Sequence, residues 1–407
     1  MVDRQINLPL TETLTPADEA AVVEAVRSAA RGGTPVYPVG GATLMYCGQW
    51  PTRPGIGLSL AGLNRIVDHQ ADDMTITVEA GVTVAQLSQC LAERRQRLPV
   101  DVAAAERATI GGVLAADPSG PRRYACGTIR DYVLGLRAVD GQGMAFGAGG
   151  RVVKNAAGYN LPRLLVGSLG TLAVITQVTL MVRPVPETSA FVACDLPDFE
   201  TAERLLAALV RTQTLPTAIE LLCSRTVGQV ANLPELRQVG NLPHEHAARL
   251  LVGFEGSAAE VEWMVGQLQG EWRALGVDAA HVANGFDAER LWSWLVETPA
   301  DQEITVRPSQ TVALIAEIRR TQPDVTIHAH AGDGVIRLCG TNTPCATAVS
   351  AVQAVPPDTA RLTQPWHTTN GAQHRQDACA TSAAAVVRAI KQRFDPQGIL
   401  NPGRIVF

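Results

Sequence analysis

Residues 109–120 read TIGGVLAADPSG, and residues 154–175 read KNAAGYNLPRLLVGSLGTLAVI. Thirteen of the thirty-six glycines of the chain fall between Thr109 and Ile175, in turns that separate short apolar runs. Glycine lets main-chain N–H groups approach a bound molecule without a Cβ in the way, and it supplies turns with positive φ. The stretch therefore predicts either a surface shaped around a large ligand or a series of tight turns in a compact α/β domain.

A second glycine turn lies upstream, at the end of a predicted strand. The apolar run Pro35–Val39 leads into Gly40-Gly41-Ala42-Thr43. A strand that ends in such a turn presents several backbone N–H groups at the edge of a sheet, where they can hold phosphate. We therefore expect the two glycine-rich regions to contribute to one site.

Two capping signatures predict where helices begin in this half of the chain. Thr15 precedes Pro16, which favours an N-cap at Thr15 and a first helical turn at Pro16. Thr83 is followed three residues later by Gln86, a capping-box pattern that predicts a second helix.

The length of 407 residues predicts two domains, because it exceeds what one hydrophobic core usually organises. The segment 183–187, RPVPE, has the composition of a breaker and linker. We expect one domain over residues 1–186 and another over residues 187–407. Beyond the linker, helical patterns alternate with short strands, as in an α+β domain.

Composition excludes several classes of protein. The formal charge of −5, with mixed signs, gives neither a nucleic-acid footprint nor a polybasic lipid-binding patch. The N-terminus lacks a signal-peptide pattern, and no apolar run is long enough to span a membrane, so we expect a cytoplasmic protein. The eight cysteines contain no Cys-x-x-Cys, which argues against a zinc ribbon or a ferredoxin-type cluster.

The histidine pair His328 and His330 lies in the segment 327–337, IHAHAGDGVIR, which predicts two strands joined by a turn. Residues two apart on a strand share a face, so both side chains are placed to act as metal ligands or catalytic groups, or to form a hydrogen-bonded pair. Arg337 is suited to binding a carboxylate bidentately. The sequence does not identify the catalytic residues, and His330 and Arg337 are the candidates.

Taken in order, seven motifs resemble those of FAD-binding flavoproteins of the vanillyl-alcohol oxidase type, which carry a PCMH-type FAD-binding domain. The stretch from Gly120 to Val182 is most similar to the FAD-binding E subunit of bacterial glycolate oxidase. The resemblance extends over nearly the whole chain. The motifs are PVGGAT at 38–43, TIGG at 109–112, SGPRR at 119–123, GTIRD at 127–131, KNAAGY at 154–159, GSLGT at 167–171 and NPG at 401–403.

This resemblance implies an α+β fold in which two subdomains form a PCMH-type FAD-binding domain over residues 1–186. An α+β cap domain over residues 187–407 follows, and its C-terminal segment returns to the FAD domain. Members that attach flavin covalently commonly have a histidine in the glycine turn, and none is present here, so the implied FAD is noncovalent. The implied cofactor-binding residues are Pro38, Gly40, Gly41, Ala42, Thr43, Thr109, Gly111, Gly112, Ser119, Gly120, Asn155, Gly158, Tyr159, Val174, Ile175 and Asn401.

The histidine hairpin departs from the pattern of related FAD-dependent 2-hydroxy-acid dehydrogenases. In those proteins it runs His-x-Gly-Asp-Gly-Asn-x-His, and a downstream Glu-His-Gly adds a metal-binding carboxylate and a catalytic base. This chain keeps His330, but Val335 replaces the asparagine, Arg337 replaces the second histidine, and Glu-His-Gly is absent. The resemblance therefore implies no metal at this hairpin.

Three functions are compatible with these patterns. The first is an FAD-binding subunit of a glycolate oxidase complex, in which electrons pass alongside a catalytic FAD subunit and an iron–sulfur subunit and the complex handles a small 2-hydroxy acid. Such a subunit reaches the inner face of the membrane only through its partners. The second is a free-standing FAD-dependent dehydrogenase of glycolate or D-lactate. The third is a non-enzymatic subunit in which FAD stabilises the fold.

Overall fold

The computed structural model describes residues 8–45, 47–150, 160–223, 248–277, 280–340, 360–362 and 378–405. The chain divides into two compact units. The first comprises residues 1–118, 128–185 and 368–407, and the second comprises residues 119–127 and 186–367. The domain boundary that we predict between residues 186 and 187 stays a prediction.

The first unit begins with a parallel three-stranded sheet in the order β1-β3-β2. Its strands are β1 (Leu10–Leu14), β2 (Val36–Val39) and β3 (Gly55–Ser59). Helix α1 (Glu19–Gly32) connects β1 to β2. The prediction of an N-cap at Thr15 is wrong, because the side chain of Asp18 accepts from the Ala21 N–H at 2.8 Å and caps the helix there.

An antiparallel five-stranded sheet follows, in the order β4-β5-β9-β7-β8, beside a two-stranded pair β10-β6. The strands are β4 (Ile66–Gln70), β5 (Thr75–Glu79), β6 (Gln96–Arg97), β7 (Val133–Asp140), β8 (Ala145–Gly149), β9 (Ala173–Met181) and β10 (Arg183–Pro184). The helices are α2 (Val84–Ala92), α3 (Ile110–Ala116), α5 (Ile129–Tyr132), α6 (Leu161–Leu165) and α11 (Ala378–Phe394).

The core of the first unit lies on the central strands β5 and β9. Val78, Val178 and Leu180 are completely buried there. Helix α2 packs Leu87 and Leu91 into the same core. The predicted capping box at Thr83 is confirmed: Thr83 and Gln86 each accept from the backbone N–H of the other.

The second unit is an antiparallel eight-stranded sheet in the order β14-β11-β13-β12-β16-β17-β15-β18. Its strands are β11 (Thr188–Leu196), β12 (Ala218–Cys223), β13 (Ala248–Gly256), β14 (Ala280–Asn284), β15 (Gln302–Val306), β16 (Thr326–His330), β17 (Val335–Cys339) and β18 (Ala360–Leu362). Its helices are α4 (Arg123–Cys126), α7 (Phe199–Leu209), α8 (Ala258–Ala274), α9 (Phe286–Glu297) and α10 (Thr311–Thr321).

Alternation along the central strand β12 separates two hydrophobic clusters, one on each face of this sheet. Leu221 and Cys223 belong to the cluster that includes α7, α8 and α10. Ala218 and Leu222 belong to the other, which includes Trp292 of α9. Because successive side chains on a strand point to opposite faces, Glu220 lies on the α9 side with Ala218 and Leu222.

Candidate functional site

The glycine turn after β2 is held against a second chain segment so closely that no side chain fits. A Cβ on Gly40 would lie 2.0 Å from the Thr109 Oγ1, and a Cβ on Gly41 would lie 1.6 Å from the Arg107 carbonyl oxygen. Ala42 adopts φ of 55°, in the left-handed region that favours glycine. The geometry explains why the sequence has glycine at these two positions.

Thr109 caps helix α3, and its side chain accepts from the Gly112 N–H at 3.4 Å. Gly111 packs against Ala80, where a Cβ would come within 2.7 Å of the alanine side chain. The motif TIGG therefore has a structural role, because it places helix α3 against the central strand β9 and holds Thr109 beside the glycine turn.

The C-terminal segment returns to β2. Leu400 forms a parallel bridge with Val36, and the Asn401 N–H donates to the Val36 carbonyl at 2.8 Å. The Asn401 Nδ2 donates to the Leu169 carbonyl at 2.6 Å, and Asn401 has φ of 44°. These contacts bring Asn401 to the motif GSLGT, a juxtaposition of residues more than 200 positions apart.

These segments enclose a cavity in the first unit. It includes ten of the sixteen predicted cofactor residues: Pro38, Gly40, Gly41, Ala42, Thr43, Thr109, Gly111, Gly112, Ile175 and Asn401. Ser119, Gly120 and Val174 are not among its lining residues. Asn155, Gly158 and Tyr159 lie outside the described residues. Nine further residues line the cavity without being among the sixteen predicted cofactor residues, although Leu169 and Gly170 belong to the motif GSLGT: Leu44, Met45, Leu60, Ala115, Ala116, Leu169, Gly170, Ala173 and Arg404.

The lining of the cavity suits a ligand that carries polar groups. Gly40 and Gly41 leave backbone exposed where a Cβ would fill the space. Two polar atoms on its lining side chains, the Asn401 Oδ1 and the Arg404 Nε, are buried without a hydrogen-bond partner among the described residues. The Asn401 oxygen is a hydrogen-bond acceptor and suits a hydroxyl or amino group of a ligand. The Arg404 guanidinium is a cation and suits an anionic group, and FAD carries both kinds of group.

A separate cluster in the second unit joins Glu220 to the two predicted histidines. The predicted hairpin is confirmed, since β16 and β17 pair in antiparallel register around residues 331–334. The Glu220 Oε2 lies 2.7 Å from the His328 Nε2 and 2.7 Å from the His330 Nδ1, and all three residues are buried. The two imidazole rings meet edge to face with centroids 5.0 Å apart. Sequence reasoning missed Glu220, whose only signal is a carboxylate within the apolar strand β12.

The cluster has the donor types that bind a transition metal, and its ligand atoms lie within 4.8 Å of one another. A tetrahedral ion with bonds near 2.1 Å separates its ligand atoms by roughly 3.4 Å. The observed separations of 2.7 Å from the Glu220 Oε2 are instead those of direct hydrogen bonds. The arrangement is that of one carboxylate oxygen orienting two imidazoles, and the prediction of no metal stays a prediction.

Arg337 lies opposite His328 in the β16–β17 register and is 9% exposed. Its Nη2 donates to the Thr298 carbonyl at 2.8 Å. Trp294 stacks near His328, with ring centroids 6.4 Å apart. The second unit therefore brings a carboxylate, two imidazoles and a guanidinium together on one face of its sheet.

Burial lowers the pKa of His328 to about 4, and the hydrogen bond that His328 donates to Glu220 only partly opposes that shift. The unfolded imidazole binds a proton below its usual pKa of about 6.5, whereas the folded one stays neutral, so protonation favours unfolding. We expect the free energy of unfolding to fall by about 2 kcal/mol as pH decreases from 6.5 to 5. Urea unfolding across this pH range measures the change. If the free energy of unfolding of a His328→Gln chain depended on pH as steeply as that of the unaltered chain, the effect would not come from His328.

Comparison with known proteins agrees with this geometry. Residues 12–162 match the family described as FAD binding domain. Residues 185–350 and 376–405 match the family described as FAD linked oxidases, C-terminal domain. The chain therefore belongs to the FAD-linked oxidoreductases that combine these two domains, and its cofactor is FAD. The predicted α+β fold with a PCMH-type FAD-binding domain is confirmed.

Relatives named for different activities match over most of the chain. A D-2-hydroxyglutarate dehydrogenase of Xanthomonas citri pv. viticola is 29% identical over 96% of this chain and 88% of its own length. Glycolate oxidase subunit GlcD of Bacillus subtilis is 25% identical over 91% of this chain and 83% of its own length. Glycolate oxidase subunit GlcE of Escherichia coli is 27% identical over 95% of this chain and 96% of its own length.

A solved alkyldihydroxyacetonephosphate synthase matches the fold with a TM-score of 0.70 at 18% identity, over 96% of this chain and 75% of that chain. Among the residues that the structure describes, no helix has the length and apolar character needed to cross a membrane.

Proposed function

We propose that this chain is the FAD-binding subunit of a complex that oxidises a small 2-hydroxy acid such as glycolate. In that complex it passes electrons alongside a catalytic flavin subunit and an iron–sulfur subunit, and it meets the inner face of the membrane only through them. One contrast carries the proposal. The cavity built on Gly40 and Gly41 gathers ten of the sixteen predicted cofactor residues, whereas the histidine hairpin has Val335 and Arg337 where the dehydrogenase pattern has asparagine and histidine.

Chemistry at the hairpin supports a role without substrate oxidation. Oxidising a 2-hydroxy acid requires a base for the hydroxyl proton and an electrophile or cation for the carboxylate. The guanidinium of Arg337 is engaged by the Thr298 carbonyl, and His330 is tied to Glu220. Bound FAD supplies uptake and release of electrons. The sequence contains no Cys-x-x-Cys, which agrees with iron–sulfur clusters carried by another subunit.

The similarity to subunit GlcE supports the same proposal, because it extends over 96% of that protein and 95% of this chain. Residues 40–45 contain no histidine, so no imidazole in the glycine turn is available to attach the flavin. We propose that the FAD is bound noncovalently.

A free-standing dehydrogenase of glycolate or D-lactate is the second candidate, favoured by the cluster of Glu220, His328 and His330. A carboxylate that accepts from the His330 Nδ1 fixes the tautomer whose Nε2 can take a proton. In this function His330 would be the base and Arg337 would bind the substrate carboxylate.

Anaerobic titration of the purified chain with glycolate and D-lactate separates the two candidates. We expect the visible flavin band to stay unchanged with either acid and to bleach with dithionite, which shows that the flavin is reducible. The chain purified together with its neighbouring gene products should reduce a dye when glycolate is added. Bleaching of the isolated chain by either acid would favour the free-standing dehydrogenase instead.

A further inference from the structure

Arg404 is a buried cation in the cofactor cavity of the first unit. Its side chain is 3% exposed, and the residue is among those that line the cavity. It follows the turn that begins at Asn401, where its own N–H donates to the Asn401 carbonyl at 3.3 Å. The return of the C-terminal segment to β2 therefore places Arg404 among the residues that line the glycine-rich cavity.

The guanidinium fixes the segment that directly follows the glycine turn. The Arg404 Nη1 donates to the Gln49 carbonyl at 3.2 Å, and the Nη2 donates to the carbonyls of Met45, at 3.0 Å, and Cys47. The Gln49 N–H returns a hydrogen bond to the Arg404 carbonyl at 2.8 Å. The Nε donor has no partner among the described residues.

The charge of Arg404 is balanced differently from the charges of two other buried or largely buried cations, Arg249 and Lys391, whereas Arg337, like Arg404, donates to a backbone carbonyl. Arg249 pairs with Asp195 at 2.5 Å, and Lys391 pairs with Asp395 at 2.5 Å. Within the described ranges, Arg404 has only carbonyl oxygens as hydrogen-bond partners and no carboxylate in an ion pair. Burial accordingly lowers the pKa of its guanidinium. A buried cation without a counter-charge is unfavourable, and an anion entering the cavity removes that penalty.

We propose that Arg404 recognises the diphosphate of the nucleotide that occupies this cavity. The proposal rests on the proposed function of this chain as an FAD-binding subunit, and it assigns to one side chain the selection of a diphosphate over an uncharged flavin. The backbone at Gly40–Thr43 shapes the anion site, and Arg404, anchored to Met45 and Gln49, supplies its fixed positive charge.

Binding of FAD, ADP, inorganic pyrophosphate and riboflavin to the full chain, after removal of its flavin, tests the proposal by calorimetry. ADP and pyrophosphate carry the diphosphate without a flavin, and riboflavin carries the flavin without phosphate. We expect Arg404→Gln to weaken FAD and ADP by about 10- to 100-fold and riboflavin by less than about threefold. Arg404→Lys keeps the positive charge but not the planar arrangement of guanidinium donors, so it should recover only part of the diphosphate affinity.

Two controls separate charge from loop structure. Arg107 is exposed and reaches the Gly41 carbonyl at 3.5 Å, so Arg107→Gln removes a solvent-screened cation beside the same turn and should weaken FAD by less than about threefold. Gly48 has φ of 81°, and a Cβ there would lie 2.7 Å from the Arg404 carbonyl oxygen. Gly48→Ala should therefore weaken all four ligands to a similar degree.

Equal weakening of riboflavin and FAD by Arg404→Gln would overturn the proposal and leave Arg404 as a structural anchor. If that variant does not fold, the unaltered chain still decides, because the proposal requires inorganic pyrophosphate to compete with FAD and to raise the melting temperature of the flavin-free protein. If the chain binds FAD but not pyrophosphate, the proposed role of Arg404 is wrong and the proposed function of the chain is unaffected. A chain that binds no FAD removes the proposed function.

Discussion

We expect the Gly41→Val chain to be purified without flavin and to bind FAD at least about a thousandfold more weakly, a loss of about 4 kcal/mol. A Cβ at Gly41 would lie 1.6 Å from the Arg107 carbonyl oxygen and 2.4 Å from its carbon. These are backbone atoms rather than the end of a flexible side chain, so the turn or the segment at Arg107 must move. Either movement takes the backbone N–H groups at 40–43 away from the positions that hold the ligand.

Flavin content after purification and calorimetric titration with FAD measure this effect. Gly147→Val is the matched control, because Gly147 lies in β8 of the same unit and its Cβ would meet nothing nearer than the Leu136 carbonyl oxygen at 3.8 Å. We expect the control to retain its flavin. Near-normal FAD affinity in Gly41→Val would show that the cofactor lies elsewhere.

The same variant distinguishes electron relay from structural support by the flavin. In a complex assembled with Gly41→Val, the relay hypothesis predicts that glycolate-dependent dye reduction is lost although the subunits still associate. If dye reduction persists while this flavin site is empty, the relay hypothesis is wrong. FAD would then act in this chain as a stabiliser of the fold.

Local patterns predicted the parts of the site that depend on local chemistry. The glycine turn at 40–43 follows from the need for bare backbone, and the capping box at Thr83 follows from a pairing three residues apart. The first helix shows the limit of such patterns. Thr15 and Asp18 are both acceptable N-caps, and only the three-dimensional path of the chain decides that Asp18 accepts from the Ala21 N–H.

The missed residues depend on contacts between distant segments. Glu220 meets His328 and His330 because β12 pairs with β16, more than 100 residues later. Arg404 reaches the segment after the glycine turn because Leu400 pairs with Val36. A single sequence shows the residue types of both contacts but not the strand order that creates them. The local sequence pattern therefore did not identify Glu220 or Arg404 as site residues.

The largest loss of stability is expected for Asp395→Ala, because Asp395 organises the C-terminal return. It is 1% exposed, and its carboxylate accepts from the Lys391 Nζ at 2.5 Å and from the backbone N–H groups of Ile399, at 3.1 Å, and Leu400, at 2.8 Å. Removing it leaves a largely buried ammonium with only carbonyl partners. Breaking a buried pair in this way costs about 3–5 kcal/mol, which we expect to see as a lower free energy of unfolding in urea.

Two further variants identify the cause of that loss. Glu317→Ala removes a solvent-exposed pair with Arg320, at 2.7 Å on helix α10, and should lower the free energy of unfolding far less than Asp395→Ala does. Adding Lys391→Met to Asp395→Ala removes the orphaned charge, so the double variant should be more stable than Asp395→Ala alone. A loss below about 1 kcal/mol for Asp395→Ala would show that the buried pair does not hold this segment. Because Leu400 leads directly to Asn401 and Arg404, the destabilised chain should also release FAD at lower urea concentrations than the unaltered chain, which links the stability of the C-terminal turn to occupancy of the cofactor cavity.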